Sequence, residues 1–269
     1  MRLIRDIDEF TEARPPGAAG SWTAIIPAAG RGSRLNCTGP KILYPVLGKP
    51  MLEWLITLLE PLCGDLVFVL SPEAPELVGP LLQARLGSRA RTVIQPQPTG
   101  MADAIAVCEG FVKTPYTLVL WGDQITPRGR SLAACMTFLE STSSLHAAIP
   151  TMIRDAPYIH FKRDDRERIV DVFQARESAQ KMAQGESDCG AFCFRTEALF
   201  QVLRQARGSP LHKGARTNEN NFLSLIPLFH DDQGALATVR LHDAEETLGI
   251  NTAEDAQEAG RILKRRQNE

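Results

Sequence analysis

The sequence has no excess of positive charge: 30 lysines and arginines stand against 32 aspartates and glutamates, a formal net charge of −2 at pH 7. A chain so balanced carries no global footprint for nucleic acid or for an anionic membrane surface. It also has no apolar run approaching the roughly 20 residues that a membrane span requires. Its first segment, MRLIRDIDEFTEARPPGAAGSW, puts acids and prolines where a signal peptide has its apolar stretch. No membrane span and no export are expected, and a cytoplasmic location is. The six cysteines, at 37, 63, 108, 135, 189 and 193, form no CxxC pair and no cluster with histidine at zinc spacing. Reduced thiols are expected. Asn36-Cys37-Thr38 matches a glycosylation sequon formally, which has no consequence without export. Internal repeats and low-complexity segments are missing as well.

What is present is ordinary globular composition, 43% apolar and 23% charged over 269 residues. A chain of this length can bury roughly three quarters of its unfolded surface. Residues 1–22 lack a clear pattern and break at Pro15-Pro16-Gly17, so they read as an N-terminal arm. Apolar runs and helical periods then alternate. Strands are expected at 23–28, 65–71, 91–95, 116–123 and 145–150. Helices are expected at 51–62, 74–86 (with proline breaks), 101–112 and around 129–141. Continuous apolar strands separated by helices indicate a parallel sheet covered on both faces. From 158 the pattern changes: YIHFKRDDRERIVDVFQAR reads as a hairpin around DDRE, and GAFCF (190–194) as a further strand. Helices near 196–206 and 217–230, a strand at 235–243, and a last helix opened by a Thr252/Asp255 capping box complete the chain. The expectation is an arm at 1–22 and one α/β domain at 23–269. Its sheet is Rossmann-like, mostly parallel but mixed, with a β-rich subregion inserted at 158–194.

PAAGRGSRLNCTGPK (27–41) follows the first strand. It holds three glycines and three cations, Arg31, Arg34 and Lys41, with no carboxylate. Ligands of open parallel sheets bind beyond the carboxyl ends of strands. Gly30 and Gly32 let backbone approach phosphate oxygens and adopt left-handed conformations, and successive N–H groups can form an anion nest. A Rossmann fingerprint would need glycine at 35, where Leu35 stands; a Walker A fails at Pro50 and Leu43. Taken alone, the loop would equally serve as a solvated basic turn. Asp123, at the end of the apolar strand LVLWGD, needs partners or a metal to offset its desolvation, and could hold Mg²⁺ together with phosphates. Asn251, before the last helix, could add an amide oxygen. Gln95 ends a strand, and its amide can pair with the edge of a base; Gly100 would leave room for the ring. Each of these has a plain structural alternative as a cap or linker.

Their joint order is more specific. AAGRGSRL…PKILYPVLGKPMLEWLI, QPQPTGMADA, WGD, GAFCF and GINTAEDA, in sequence over residues 23–265, resemble the nucleoside-diphosphate-sugar pyrophosphorylase (sugar-phosphate nucleotidyltransferase) superfamily. The pattern is most similar to the uridylyltransferase domain of the bacterial N-acetylglucosamine-1-phosphate enzyme. The resemblance implies the nucleotide-diphospho-sugar transferase fold, with 158–194 on the acceptor side. It implies nucleotide binding by Ala28, Ala29, Gly30, Gly32, Ser33, Arg34, Gln95, Gly100 and Gly122, and catalytic roles for Arg34, Lys41 and Asp123. It places Mg²⁺ on Asp123 and Asn251. On the acceptor side the chain departs from its relatives: Ile159 replaces a glycine, Gln174 a sugar-binding glutamate, and Asp188-Cys189-Gly190 an asparagine-threonine-glycine, with Arg176 nearby. Acceptor binding is assigned to Gln174, Arg176, Asp188 and Gly190. The hexapeptide-repeat acetyltransferase domain of bifunctional relatives is not expected here.

The reaction so implied joins an NTP, UTP or dTTP favoured, to a sugar 1-phosphate or similar small phosphate ester and releases pyrophosphate. The attack is anion upon anion, so catalysis rests on positioning and charge neutralisation. No general base is needed, and the five histidines are asked to do nothing. The rival activities are a cytidylyltransferase for a non-sugar alcohol phosphate, a phosphonate or a cyclitol phosphate; a noncatalytic regulatory subunit of the same fold; and a nucleotide-binding module without turnover. The expected partners are an NTP and a small phosphorylated acceptor, and a homo-oligomer is left open.

Overall fold

The computed structural model describes residues 2–10, 19–30, 32–35, 37, 39–175, 177, 182–209, 212–231 and 234–268. An edge strand, β1 (Ile4–Asp6), precedes the buried β2 (Trp22–Pro27). A small hairpin of β3 (Pro45–Val46) and β4 (Lys49–Pro50) leads into helix α1 (Met51–Leu59). Then come β5 (Asp65–Leu70), α2 (Pro75–Leu86), β6 (Ala90–Ile94), α3 (Met101–Ala106), β7 (Tyr116–Leu120) and α4 (Gly129–Ser141). The second half contains β8 (Leu145–Asp155), the hairpin β9 (Ile159–Arg163) and β10 (Ile169–Gln174), β11 (Gln184–Asp188), β12 (Ala191–Arg195), α5 (Thr196–Ala206), β13 (Ala235–Arg240) and α6 (Ala253–Arg266).

Among the described residues the central sheet has nine strands in the order β1-β13-β8-β12-β7-β2-β5-β6, with β11 also beside β8. Only β11 and β12 run antiparallel to their neighbours. The expected mostly parallel, mixed α/β sheet is therefore the observed one. Side chains alternate across it, as strand geometry demands. Ala24, Ile26, Leu66, Phe68, Leu70, Leu118 and Leu120 enter one core with the buried residues of α1, α2, α4 and α6. Ile25, Val67, Val69 and Val119 enter the other with those of α3 and α5. Both faces are buried, which is why these strands read as unbroken apolar runs. No helix among the described residues is long and apolar enough to cross a membrane.

Several elements differ from the sequence expectation, each for a local reason. Helix α2 is continuous through Pro80, held by buried Val78, Leu82 and Leu86. Helix α3 ends at Ala106 and gives way to a single tight turn at Glu109–Phe111. The helix expected at 217–230 is a loop followed by a 3-10 segment, Leu223–Phe229, that contains Pro227. Pro227 lacks the N–H that an α-helical ladder would use. Phe222 and Phe229 nevertheless pack against Phe194, with ring centroids 5.9 and 4.8 Å away.

Strand β11, QGESD, has no apolar signal and was not expected. It pairs antiparallel with the far end of β8, which extends five residues beyond the expected 150. Its buried Glu186 explains the missing signal. Arg163 grips that carboxylate through Nε and Nη2, each at 2.7 Å, and Thr151 Oγ1 donates at 2.7 Å. Burial raises the Glu186 pKa, but the Arg163 fork outweighs it and holds the group below its ordinary value. This satisfied ion pair locks the β9–β10 hairpin to the main sheet. None of the six cysteines forms a disulfide.

Candidate active site

Strand β2 ends at Pro27, and the chain continues over the carboxyl edge of the sheet. Ala28 N–H donates to Val69 O at 2.8 Å, and Gly122 N–H to Pro27 O at 3.2 Å. A side-chain carbon on Gly122 would stand 2.8 Å from Pro27 O, so glycine is required where β7 passes the loop. Gly32 has φ +62°, and a carbon there would stand 2.9 Å from Cys37 Sγ and 3.0 Å from Lys41 Cβ. The loop thus folds tightly over the stem of Lys41. Gly30 does not share the left-handed conformation expected for it and faces open space. Leu35 is buried and anchors the loop to the core.

The two basic side chains described in this loop converge on two acids or amides from distant elements. Lys41 Nζ lies 2.7 Å from Asp123 Oδ2 and 3.0 Å from Asn251 Oδ1. Arg34 Nη2 donates to the same Asn251 oxygen at 3.0 Å from the exposed rim. Asn251 is placed by the start of α6, where Thr252 and Asp255 form the expected capping box and Asp255 Oδ2 also accepts from Asn251 N–H. Asp123 O accepts from Ile250 N–H at 3.0 Å, tying the β7 and α6 ends together. Below them Glu246 is buried, accepting from Arg128 N–H and Ser131 Oγ, with burial raising its pKa.

These groups open into a cleft of about 610 Å³. Of the residues expected to act, Ala28, Ala29, Gly30, Lys41, Gln95, Gly100, Gly122, Asp123, Gln174, Asp188, Gly190 and Asn251 line it. Gly32 and Arg34 do not; Gly32 shapes the loop and Arg34 reaches the cleft's edge through Asn251. The Ser33 side chain, Arg31 and Arg176 lie outside the described residues. Where β11 ends, Asp188 Oδ2 accepts from Gly190 N–H at 2.9 Å, and burial raises its pKa.

At the other end Gln95 is buried, and its Nε2 donates to Gly100 O at 3.0 Å. The amide donor is therefore engaged within the loop itself. Gly100 has φ +125°, and a carbon on it would collide with the backbone of Asn220, 2.3 Å from its carbonyl oxygen. The side on which a side chain would stand is filled by chain, so packing explains this glycine before any base is invoked. Asn220 N–H donates to Thr99 O, Ala102 N–H to Asn220 O, and Asn220 Nδ2 to Asp103 Oδ2.

The sequence reading missed the segment that brings Thr217, Glu219 and Asn220 over the cleft. It is a tight loop, bridged at Lys213 and Asn220 and turned by Asn218 at φ +56°. Glu177 holds it from the opposite wall, accepting from Arg216 N–H at 2.7 Å and Thr217 Oγ1 at 2.9 Å. The run TNEN carries a turn signal, but nothing in it points to the Gly100 turn more than a hundred residues earlier. Trp121, Gln124, Arg154 and Tyr158 also line the cleft and were not singled out.

A doubly covered, mostly parallel sheet with a cation-bearing, glycine-rich loop across its carboxyl edge from an acid and an amide defines a nucleotidyltransferase-type α/β protein. The chain belongs to the family of MobA-like NTP transferase domains, whose model matches residues 24–213. The superfamily resemblance carried by the motifs therefore holds. The chain is 29% identical over 252 residues to the bifunctional protein GlmU of Listeria monocytogenes, a match that covers 91% of this chain and 53% of that protein. It spans about half the length of the curated relatives it matches. Its fold is similar to that of a candidate glucose-1-phosphate thymidylyltransferase of Bacillus anthracis, with a TM-score of 0.69 at 19% identity, covering 90% of this chain and 95% of that one. It is equally similar to the inositol-1-phosphate CTP transferase of T. maritima, with a TM-score of 0.69 at 19% identity, covering 93% and 96%.

Proposed function

We propose that this chain transfers a nucleotidyl group from an NTP, with UTP or dTTP favoured, to a sugar 1-phosphate or similarly small phosphate ester. An oxygen of the acceptor phosphate attacks the α-phosphorus, the bond to the β-phosphate oxygen breaks, and pyrophosphate leaves. The observation that carries this reading is the convergence of Lys41, Asp123 and Asn251 at one edge of a cleft that also holds Gln95, Gly100, Gln174 and Asp188. Residues 23–269 act as a single nucleotidyltransferase domain, with 158–194 on its acceptor side; the stretch expected as an arm at 1–22 instead adds β1 to the edge of the same sheet and supplies Trp22 to the start of β2.

The donor set suits Mg²⁺. Asp123 Oδ2 and Asn251 Oδ1 already share one cation, the Lys41 ammonium, within 3.0 Å. They offer the few hard oxygens that Mg²⁺ takes from protein when phosphates supply the rest. Magnesium bound there would offset charge between the two reacting phosphates. The chain's own part is positioning: Lys41 turns from its two partners to a phosphate oxygen, and Arg34 at the rim meets the leaving pyrophosphate. Loop amides after Pro27 face the triphosphate. Gln95 reads the base edge.

A cytidylyl transfer to a cyclitol or other non-sugar alcohol phosphate is the second reading. It is favoured by the acceptor wall, where Ile159 and Gln174 line the cleft in place of the relatives' glycine and glutamate. A pyrophosphate-release screen that crosses four NTPs with a panel of phosphorylated acceptors, with Mg²⁺, separates the two. Release with UTP or dTTP and a sugar 1-phosphate supports the first; release only with CTP and a non-sugar acceptor supports the second. Nucleotide binding without release from any pairing refutes both.

A further inference from the structure

Gln124 follows Asp123 directly, is 8% exposed, and lines the cleft. Its Oε1 is buried without a hydrogen-bond partner among the described residues. A buried amide oxygen left unpaired destabilises the fold, and such an atom in a native chain calls for an explanation. The chain also clears room for this side chain on two sides. A carbon on Gly190, where φ is +71°, would stand 2.5 Å from Gln124 Cγ and 2.9 Å from Nε2. A carbon on Gly249 would stand 3.0 Å from Gln124 Nε2, 3.6 Å from Asn251 Nδ2 and 3.8 Å from Asp123 Oδ1. Gly249 thus leaves open a small space on which the carboxamide, Asp123 and Asn251 converge. Gly190, on the other flank, is held by the Asp188 carboxylate. Gln124 stands between the groups assigned to the reacting phosphates and those assigned to the acceptor.

We infer that Gln124 is an acceptor-binding residue whose carboxamide hydrogen-bonds a neutral hydroxyl on the acceptor's carbon skeleton, beside the attacking phosphate. The inference rests on the nucleotidyl-transfer reading and deepens it. A hydroxyl both donates and accepts, as a primary amide does, so either orientation of the amide can serve it. Neutrality matters at this place. Asp123 already opposes an incoming phosphate, and a carboxylate at 124 would add to that repulsion, whereas an amide fixes the acceptor without charge. The phosphate itself has Lys41.

The test compares the wild type with Gln124→Met, which keeps the length and removes both polar atoms. Pyrophosphate release is followed with UTP, dTTP and CTP against N-acetylglucosamine 1-phosphate, glucose 1-phosphate and myo-inositol 1-phosphate. The expected result is an acceptor KM raised about tenfold or more, with the KM for NTP within about twofold, since a lost hydrogen bond is worth roughly that factor. The melting temperature stays level or rises, because an unpaired polar group has left the fold. Gln124→Glu, which keeps the shape and adds charge, raises the acceptor KM further. An unchanged acceptor KM in Gln124→Met overturns the inference while leaving the reaction intact. A lowered melting temperature with unaltered acceptor use assigns Gln124 to the fold and overturns it too. A wild type that releases no pyrophosphate from any pairing refutes the underlying reaction, and this inference falls with it.

Discussion

The two ends of the cleft are built differently. At the end assigned to the nucleotide each group sits within a few residues of the end of a sheet strand: Ala28 to Gly30 after β2, Gln95 after β6, Gly122 and Asp123 after β7. Their positions follow from where those strands stop. At the end assigned to the acceptor, the wall is assembled from β8, the β9–β10 hairpin, β11 and a loop at 212–222. Those pieces are held by long-range polar contacts: Arg163 on Glu186, Glu177 on Thr217, Asn220 on the Gly100 turn. The end assigned to the nucleotide is positioned by where the strands of the sheet stop, whereas the end assigned to the acceptor is held together by long-range side-chain contacts.

The seam between the ends gives the largest effect. Gly100→Ala puts a carbon into the backbone of Asn220 and forces a residue with a side chain to φ +125°. A strained backbone of this kind costs about 1–3 kcal/mol. Thermal unfolding should register that loss, and NTP and acceptor KM should rise together. A rise in only one would show that the 212–222 loop does not couple the two ends.

Acid should loosen the acceptor end first. His230 accepts from Ile169 N–H at 3.2 Å and so ties β10 to the segment before β13. Burial, with Arg163 and Arg168 adding to it, lowers its pKa from 6.5 to about 4. A folded pKa below the unfolded one gives stability that is fully present above pH 6.5 and is lost as pH falls through 4. Melting temperature should therefore decline over that window, and His230→Gln should flatten part of the decline. An identical slope in the variant would remove His230 from the account. The smallest effect is expected from Gln95→Ala, which should blur the ranking of NTPs more than it slows the best one. An unaltered ranking would mean that Gln95 serves only to hold the Gly100 carbonyl.

Legibility in the sequence follows the same division. The strands β2, β5, β7 and β8 were visible because burial on both faces leaves unbroken apolar runs. The capping box of α6 was visible because it is local, and it placed Asn251. Strand β11 was invisible because it carries no apolar side chain, and its buried Glu186 is satisfied by Arg163 and Thr151, partners that no spacing reveals. Gly100 was read as room for a base, since nothing near it in sequence announces Asn220. Gln124 went unremarked beside Asp123 because an amide after an acid carries no motif; only the unpaired oxygen and two cleared glycines mark it.

Lys41, Asp123 and Asn251 are the proposed phosphate-handling edge of the cleft. The most direct test is pyrophosphate release by Asp123→Asn beside the wild type, with a matched melting curve. Turnover is expected to fall at least about a hundredfold, with cooperative unfolding preserved. Release at the wild-type rate by the folded variant would contradict it.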